Sequence, residues 1–425
     1  MTRWMAYARE SLRGIWFRAS LFTVVGIVLA IVSHPLGELV PPALSGALGT
    51  DAAGTILEIL ATSMLAVTTF SLTTMVSAYA TATQIGTPRS IQLLIADRTS
   101  HNALSTFVGA FAFSIVGIVA LSMKVYDESG KTVLFLGTML VIVTVLVTLL
   151  RWISFLTVFG RMSDIIDRVE NAACRAMEGY ADDPLMGANP WTAPPAQAVP
   201  VASDSSGFVT HVDMAALQRV AEQQDCTLWV QHRAGARIVA SHPVVVADRA
   251  LSEEAAQAVR HAFVIAAHRT FEQDPRLGLI ALSEISSRAL SPAVNDPGTG
   301  VEVLAAQQRV LDIAVRSTAK PELQHPRVHV RRIEAADLLQ DAFRPIARDG
   351  AGVVEVALRI QRELGALLDV TGDADWARAL RAAAREALER AEHALSHDAD
   401  IDDVRTLHAA ALQDSQPTGG LTSPE

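Results

Sequence analysis

Of the 425 residues, 50% are hydrophobic and only 19% charged, against about 25% charged in an ordinary soluble domain, so the composition points to a membrane protein. The formal net charge of −10 argues against a nucleic-acid partner, whose phosphates need a basic surface. The two cysteines, Cys174 and Cys226, match no metal-ligand spacing and exclude a disulfide-dense scaffold.

Four apolar runs fall at 15–34, 55–83, 103–123 and 132–158, each reaching the ~20 residues that cross ~30 Å of hydrocarbon. They predict a four-helix transmembrane domain over 1–160. The first run is long and lacks a small-residue cleavage site, so no cleavable leader is expected. Arg3, Arg9 and Arg13 precede it with Arg18 at its start, and Arg151, Arg161, Arg168 and Arg175 follow or end the fourth. The loop after the first run carries no Lys or Arg, and the next has Arg89 and Arg98. This distribution predicts cytoplasmic termini, although Lys124 and Lys131 beside Asp127 and Glu128 are ambivalent.

On the second span Thr55, Thr62, Thr69, Thr73 and Ser77 fall within about 80° of one another. Such a stripe either lets helices pack closely or lines a hydroxyl pathway, so Thr62, Thr69, Thr73 and Ser77 are expected to avoid lipid. Leu57, Leu60, Leu65, Leu72 and Met75 are assigned much of the remaining surface. Thr87-Pro88 predicts the start of a short helix over Arg89–Asp97, and Asp97 beside Arg98 reads as a solvated pair.

Beyond the spans, an apolar stripe of Ile165, Ile166, Val169, Ala172 and Ala173 predicts a helical extension, and five prolines in Asp182–Gly207 read as a linker, together 161–206. A β-rich module over 207–250 follows. It comprises a strand at Gly207–Val212, a helix capped by Asp213, strands at Thr227–His232 and Arg237–Ala240 across the turn Arg233–Ala236, and a strand at Val244–Ala247. Residues 251–412 read as a helical cytosolic domain, with a strand near Arg327–Arg332, and 413–425 as a disordered tail. The expected fold is thus an α-helical membrane domain of four transmembrane helices followed by a cytosolic α+β domain.

The most informative stretch runs from Arg269-Thr270-Phe271-Glu272-Gln273-Asp274-Pro275 to Arg288-Ala289-Leu290-Ser291-Pro292-Ala293-Val294-Asn295-Asp296-Pro297. Asp274-Pro275, Ser291-Pro292 and Asp296-Pro297 repeat one device, a capping oxygen followed by proline at the first helical position. Two helix starts beside Arg288 predict a site for a small anionic ligand, built from Arg288, Ser291, Asn295 and Asp296 with Arg269 and Gln273. The alternative is a plain helix corner in which Arg288 pairs with Asp296.

The four spans, these two strings, the Gly207–Val246 stretch and Asp341-Ala342-Phe343 together resemble an uncharacterised bacterial membrane family, domain-of-unknown-function family 2254. The likeness covers nearly the whole chain and departs at Gly298, where a bulkier residue is expected. It implies the inner membrane of a bacterium and carries no activity with it.

His325 with His329, and His393 with His397, share faces but lack further ligands at metal spacing, so no metal or cofactor is expected. Asp398, Asp400, Asp402 and Asp403 read as a solvated acidic turn. Asp274 and Glu284 are the one carboxylate pair considered for acid–base work, and no catalytic motif occurs. The reading is a homo-oligomeric channel or transport-like protein in the lipid bilayer with a cytosolic sensing or gating domain. The alternative is an anchored sensor or scaffold without transport.

Overall fold

The computed structural model describes residues 52–95, 97–123 and 128–413, together with residues 20, 24, 27 and 28. The remainder of the first apolar run, and residues 414–425 of the expected tail, lie outside the described residues. Contacts divide the chain into two units, Met1–Ile85 with Ile91–Asp164, and Gly86–Ser90 with Ile165–Glu425.

The first unit contains α1 (Ala52–Ile85), most of α2 (Pro88–Ile95), α3 (Arg98–Ser122) and α4 (Glu128–Leu156). Three stretches within them are long and apolar enough to cross a membrane, Ala53–Thr83, Thr99–Ser122 and Gly130–Leu156. The Asp97 carboxylate accepts from the amides of Thr99 at 2.8 Å and Ser100 at 3.0 Å and caps α3. α1 packs on α3 where Gly117 admits the Leu57 side chain, and Leu57, Phe113 and Leu134 form a buried cluster.

The second unit is a mixed helix and sheet region. It opens with most of α5 (Met162–Asp182), whose whole expected stripe is buried. Then come β1 (Ala188–Pro190), β2 (Val199–Ala202), β3 (Gly207–Val212), α6 (Met214–Gln223), β4 (Leu228–Val230), β5 (Arg237–Ile238) and β6 (Pro243–Ala247). They are followed by α7 (Glu253–His261), β7 (Phe263–Ala266), α8 (Pro275–Ala289), α9 (Pro297–Val315) and β8 (His325–Val330). Four helices close it, α10 (Ala335–Asp349), α11 (Val354–Val370), α12 (Ala374–Ala394) and α13 (Asp398–Gln413).

One sheet has the order β1-β8-β4-β6-β2 and the other β5-β3-β7. Two expectations change here. The proline-rich stretch is built into the larger sheet: Pro190 and Pro200 sit in its two edge strands, where a missing N–H costs no ladder bond. The strands flanking Arg233–Ala236 do not pair with each other. All three residues of β4 are buried, so it takes a neighbour on each side, β6 antiparallel and β8 parallel, while β5 joins β3. The turn between them is held by Arg233, whose guanidinium donates to Pro184 O at 2.6 Å and Arg331 O at 2.9 Å.

β7, within a stretch expected to be helical, pairs antiparallel with β3. α12 turns one apolar face inward, with Trp376, Leu380, Ala384, Ala387 and Ala391 buried. The acidic turn is the start of α13, with Asp398 and Asp400 in its first turn, where carboxylates meet the positive end of the helix dipole.

Candidate functional site

The two strings singled out in the sequence are the two ends of α8. At its start, Asp274 is 1% exposed and Pro275 occupies the first helical position. The Asp274 carboxylate accepts from Arg269 Nε at 2.7 Å and Nη2 at 2.9 Å, and from the Arg276 amide at 3.2 Å. Gly235, with φ +92°, lies against this carboxylate, and an added Cβ there would come within 2.7 Å of the Asp274 Cγ. Gln273 turns the other way, its Oε1 accepting from the Val212 amide at 3.0 Å. The string therefore joins α8 to β3 and the Arg233–Ala236 turn.

One residue on, Arg276 reaches α10, donating to Asp341 Oδ2 at 2.6 Å and Oδ1 at 3.2 Å, with Asp337 at 3.3 Å. The Asp341 hydrogen bonds hold the Arg276 pKa above its ordinary value. This pairing was missed in the sequence, where Arg276 and Asp341 are 65 positions apart. At the second turn Gly278 lies flat on α5: an added Cβ would overlap the Ala173 Cβ and come within 2.7 Å of its Cα.

Toward its end α8 holds the segment that follows α1. Glu284 forms an ion pair with Arg89, and Arg288 Nη1 donates to Gly86 O at 3.0 Å. Asp274 and Glu284 are therefore no acid–base pair. Each is held by a different arginine, about 15 Å apart along the helix.

The six candidate ligand residues do not converge. Arg269 and Gln273 stand at one end of a helix about 22 Å long, and Arg288, Ser291, Asn295 and Asp296 at the other. Ser291 caps no helix: its hydroxyl donates back to Arg288 O at 2.7 Å, and residues 291–294 form turns. Proline at 292 is accommodated by this turn. Asn295 adopts φ +50°, and the Asp296 amide closes the loop on Ala289 O at 2.8 Å. Arg288 reaches Gly86, and Asp296 caps α9 through the Thr299 amide at 3.1 Å and hydroxyl at 2.6 Å. Those Thr299 bonds hold the Asp296 carboxyl below the usual carboxylate range. Gly298 leaves room for this cap, since an added Cβ would lie 3.3 Å from Asp296 Oδ1.

These geometries separate two substitutions. Asp296→Ala is expected to cost ~1 kcal/mol, the usual loss of a cap, and Ser291→Ala under ~0.5 kcal/mol, as at an exposed site. Because the folded Asp296 pKa is depressed, its contribution is full above the unfolded value of ~3.9 and is lost as pH falls through the folded value. Denaturant melts of both variants at neutral and acid pH check this; equal losses would remove the distinction.

On α1 the stripe lies outward. Thr62, Thr69, Thr73 and Ser77 are exposed within one chain, and of the apolar residues assigned the remaining surface Leu57, Leu60 and Met75 are buried while Leu65 and Leu72 are exposed. Thr62, Thr69 and Thr73 donate to the carbonyls of Glu58, Leu65 and Thr69 at 2.9, 2.9 and 3.0 Å. A hydroxyl bonded to its own helix tolerates an outward position, so the stripe need not face the chain's interior.

His329 donates its Nδ1–H to Pro190 O at 2.7 Å and stacks on Trp229. Among the described residues no group of three or more His, Cys, Asp or Glu is placed to hold a metal ion.

A family model described as "Predicted membrane protein (DUF2254)" matches residues 13–366. An uncharacterised protein of Mycobacterium bovis and one of Mycobacterium tuberculosis H37Rv are each 25% identical over 330 residues, covering 74% of this chain and 61% of theirs. A third, from Mycobacterium tuberculosis CDC 1551, has the same identity and coverage. The chain thus spans about three-fifths of the length of these relatives. No solved structure matches. With spans, α8 and both strings inside the matched region, the chain belongs to the DUF2254 family of predicted membrane proteins.

Proposed function

We propose that the second unit is a sensing or gating domain that acts through α8 on the membrane helices of a homo-oligomeric channel or transport-like protein. One observation carries this reading: the two segments that continue from membrane spans meet on the same helix. Gly86 and Arg89, after α1, are held by Arg288 and Glu284, and α5, after α4, packs at Gly278. Any displacement of α8 is then applied to both. In this proposal residues 15–34 supply a fourth span, the termini are cytoplasmic, and the membrane is the bacterial inner membrane. The outward Thr62, Thr69, Thr73 and Ser77 would face a second copy around a path that one chain alone is too small to enclose.

A small anionic ligand at the Arg288–Asp296 corner is left out. Asp296 already places a carboxylate on the amides such an anion would use. The second reading, an anchored sensor or scaffold without transport, is favoured by the threonine hydroxyls donating to their own helix.

Mass determination of the full chain in native detergent, followed by ion flux from liposomes, tests the proposal. An oligomer whose flux changes several-fold in Glu284→Gln and Arg89→Gln supports it. A monomer, or an oligomer without flux in the parent or any variant, overturns it in favour of the second reading.

A further inference from the structure

We propose that the turn Ser291–Asp296 rests on the lipid surface, with Pro292, Ala293 and Val294 inserted among the headgroups. All three are exposed, and Val294, at 54%, is the most exposed large aliphatic side chain among the described residues of the second unit. Singly exposed valines are ordinary. Three further features single this one out.

The turn is rigid from within. Ser291 O accepts from the Val294 and Asn295 amides at 3.0 and 2.9 Å, the Asp296 amide binds Ala289 O, and Asn295 supplies the left-handed residue. An apolar tip held this firmly meets a surface without paying much ordering entropy. The turn is also tethered. Arg288, three residues before it, donates to Gly86 O, and Gly86 lies three residues past Thr83, where the apolar stretch of α1 ends. Finally, the inserted residues Pro292, Ala293 and Val294 carry no charge, and the Asp296 carboxylate at the end of the turn stays on the Thr299 amide and hydroxyl that it caps, so their insertion buries no ion of their own.

An interface of about 5–7 Å on each side of the hydrocarbon accommodates a tip of this size. The assignment holds for a gating domain and for an anchored sensor alike.

The test uses the full chain in bilayer discs of phosphatidylethanolamine and phosphatidylglycerol. Cys174 is replaced by alanine, buried Cys226 is kept, and a nitroxide is attached at Val294→Cys or, as a control, at Val239→Cys, where the parent valine is 44% exposed. Collision rates are read with oxygen, which concentrates in lipid, and with a water-soluble nickel chelate. The oxygen-to-nickel ratio at 294 is expected to exceed that at 239 several-fold. Equal ratios overturn the proposal, placing the turn in water. Line broadening at 294 that disappears on dilution with unlabelled chain also overturns it, because a second copy then covers the turn.

Discussion

Asp274→Ala is expected to lower the stability of the second unit by about 3–5 kcal/mol, the range for breaking a buried ion pair from one side. The carboxylate is 1% exposed and both its oxygens accept from the Arg269 fork, at 2.7 and 2.9 Å. Its removal leaves a guanidinium only 16% exposed with its charge uncompensated. It also takes the cap from α8 and empties the space against which Gly235 is fitted. Replacing both partners with apolar groups, Arg269→Met with Asp274→Leu, should restore much of the loss, because the uncompensated charge is then gone. Urea unfolding of the full chain in detergent, followed by tryptophan fluorescence, gives the double-mutant cycle. A loss below ~1 kcal/mol for Asp274→Ala would mean that this pair is a surface pair in effect.

The second large effect is expected at Gly278. Glycine to alanine inside a helix ordinarily gains up to ~1 kcal/mol. Here the sign reverses, because the added Cβ overlaps the Ala173 Cβ and sits 2.7 Å from its Cα, on a helix backbone that does not yield locally. Overpacking of this kind costs roughly 1–3 kcal/mol. Gly278→Ala should therefore destabilise by about 2 kcal/mol, while Gly179→Ala on α5, with nothing within 4 Å of an added Cβ, should stabilise by ~0.5–1 kcal/mol. Opposite shifts of the thermal midpoint confirm the close approach of α5 and α8. Two shifts of the same sign would refute it.

How much was legible in the sequence depends on whether the determining contact is local. Asp213, Asp274 and Asp296 were readable as caps because a cap is satisfied within three residues of itself. β3 follows from its alternation at Gly207–Val212, and α12 from its apolar face. Ser291-Pro292 has the same local form and no such role, since the Asn295 left-handed turn closes the chain on Ala289 before a helix can begin. The grip of Arg288 on Gly86 spans 202 positions, and the Arg276–Asp341 bridge spans 65. Nothing in either neighbourhood specifies such a partner. The outward turn of the Thr62–Ser77 stripe escaped for a different reason. Periodicity defines a face of a helix, but the choice of the face that packs lies with the neighbour, here Gly117 of α3 receiving Leu57.

The place of β8 in the larger sheet sets an order on synthesis. β4 and β6 are complete once Ala247 has been made, yet the inner flank of β4 waits for β8, which ends at Val330, 83 residues later (330 − 247). At ribosomal rates of 5–20 residues per second that interval is roughly 4–17 s, long compared with the collapse of a small chain. During it, Leu228, Trp229 and Val230 present one unpaired edge of a hydrophobic strand, and β1 lacks β8, its one strand partner among the described residues. Nascent chains halted between Ala247 and His325 should therefore be the protease-sensitive and chaperone-bound forms of this protein, and release past Val330 should end that vulnerability in one step.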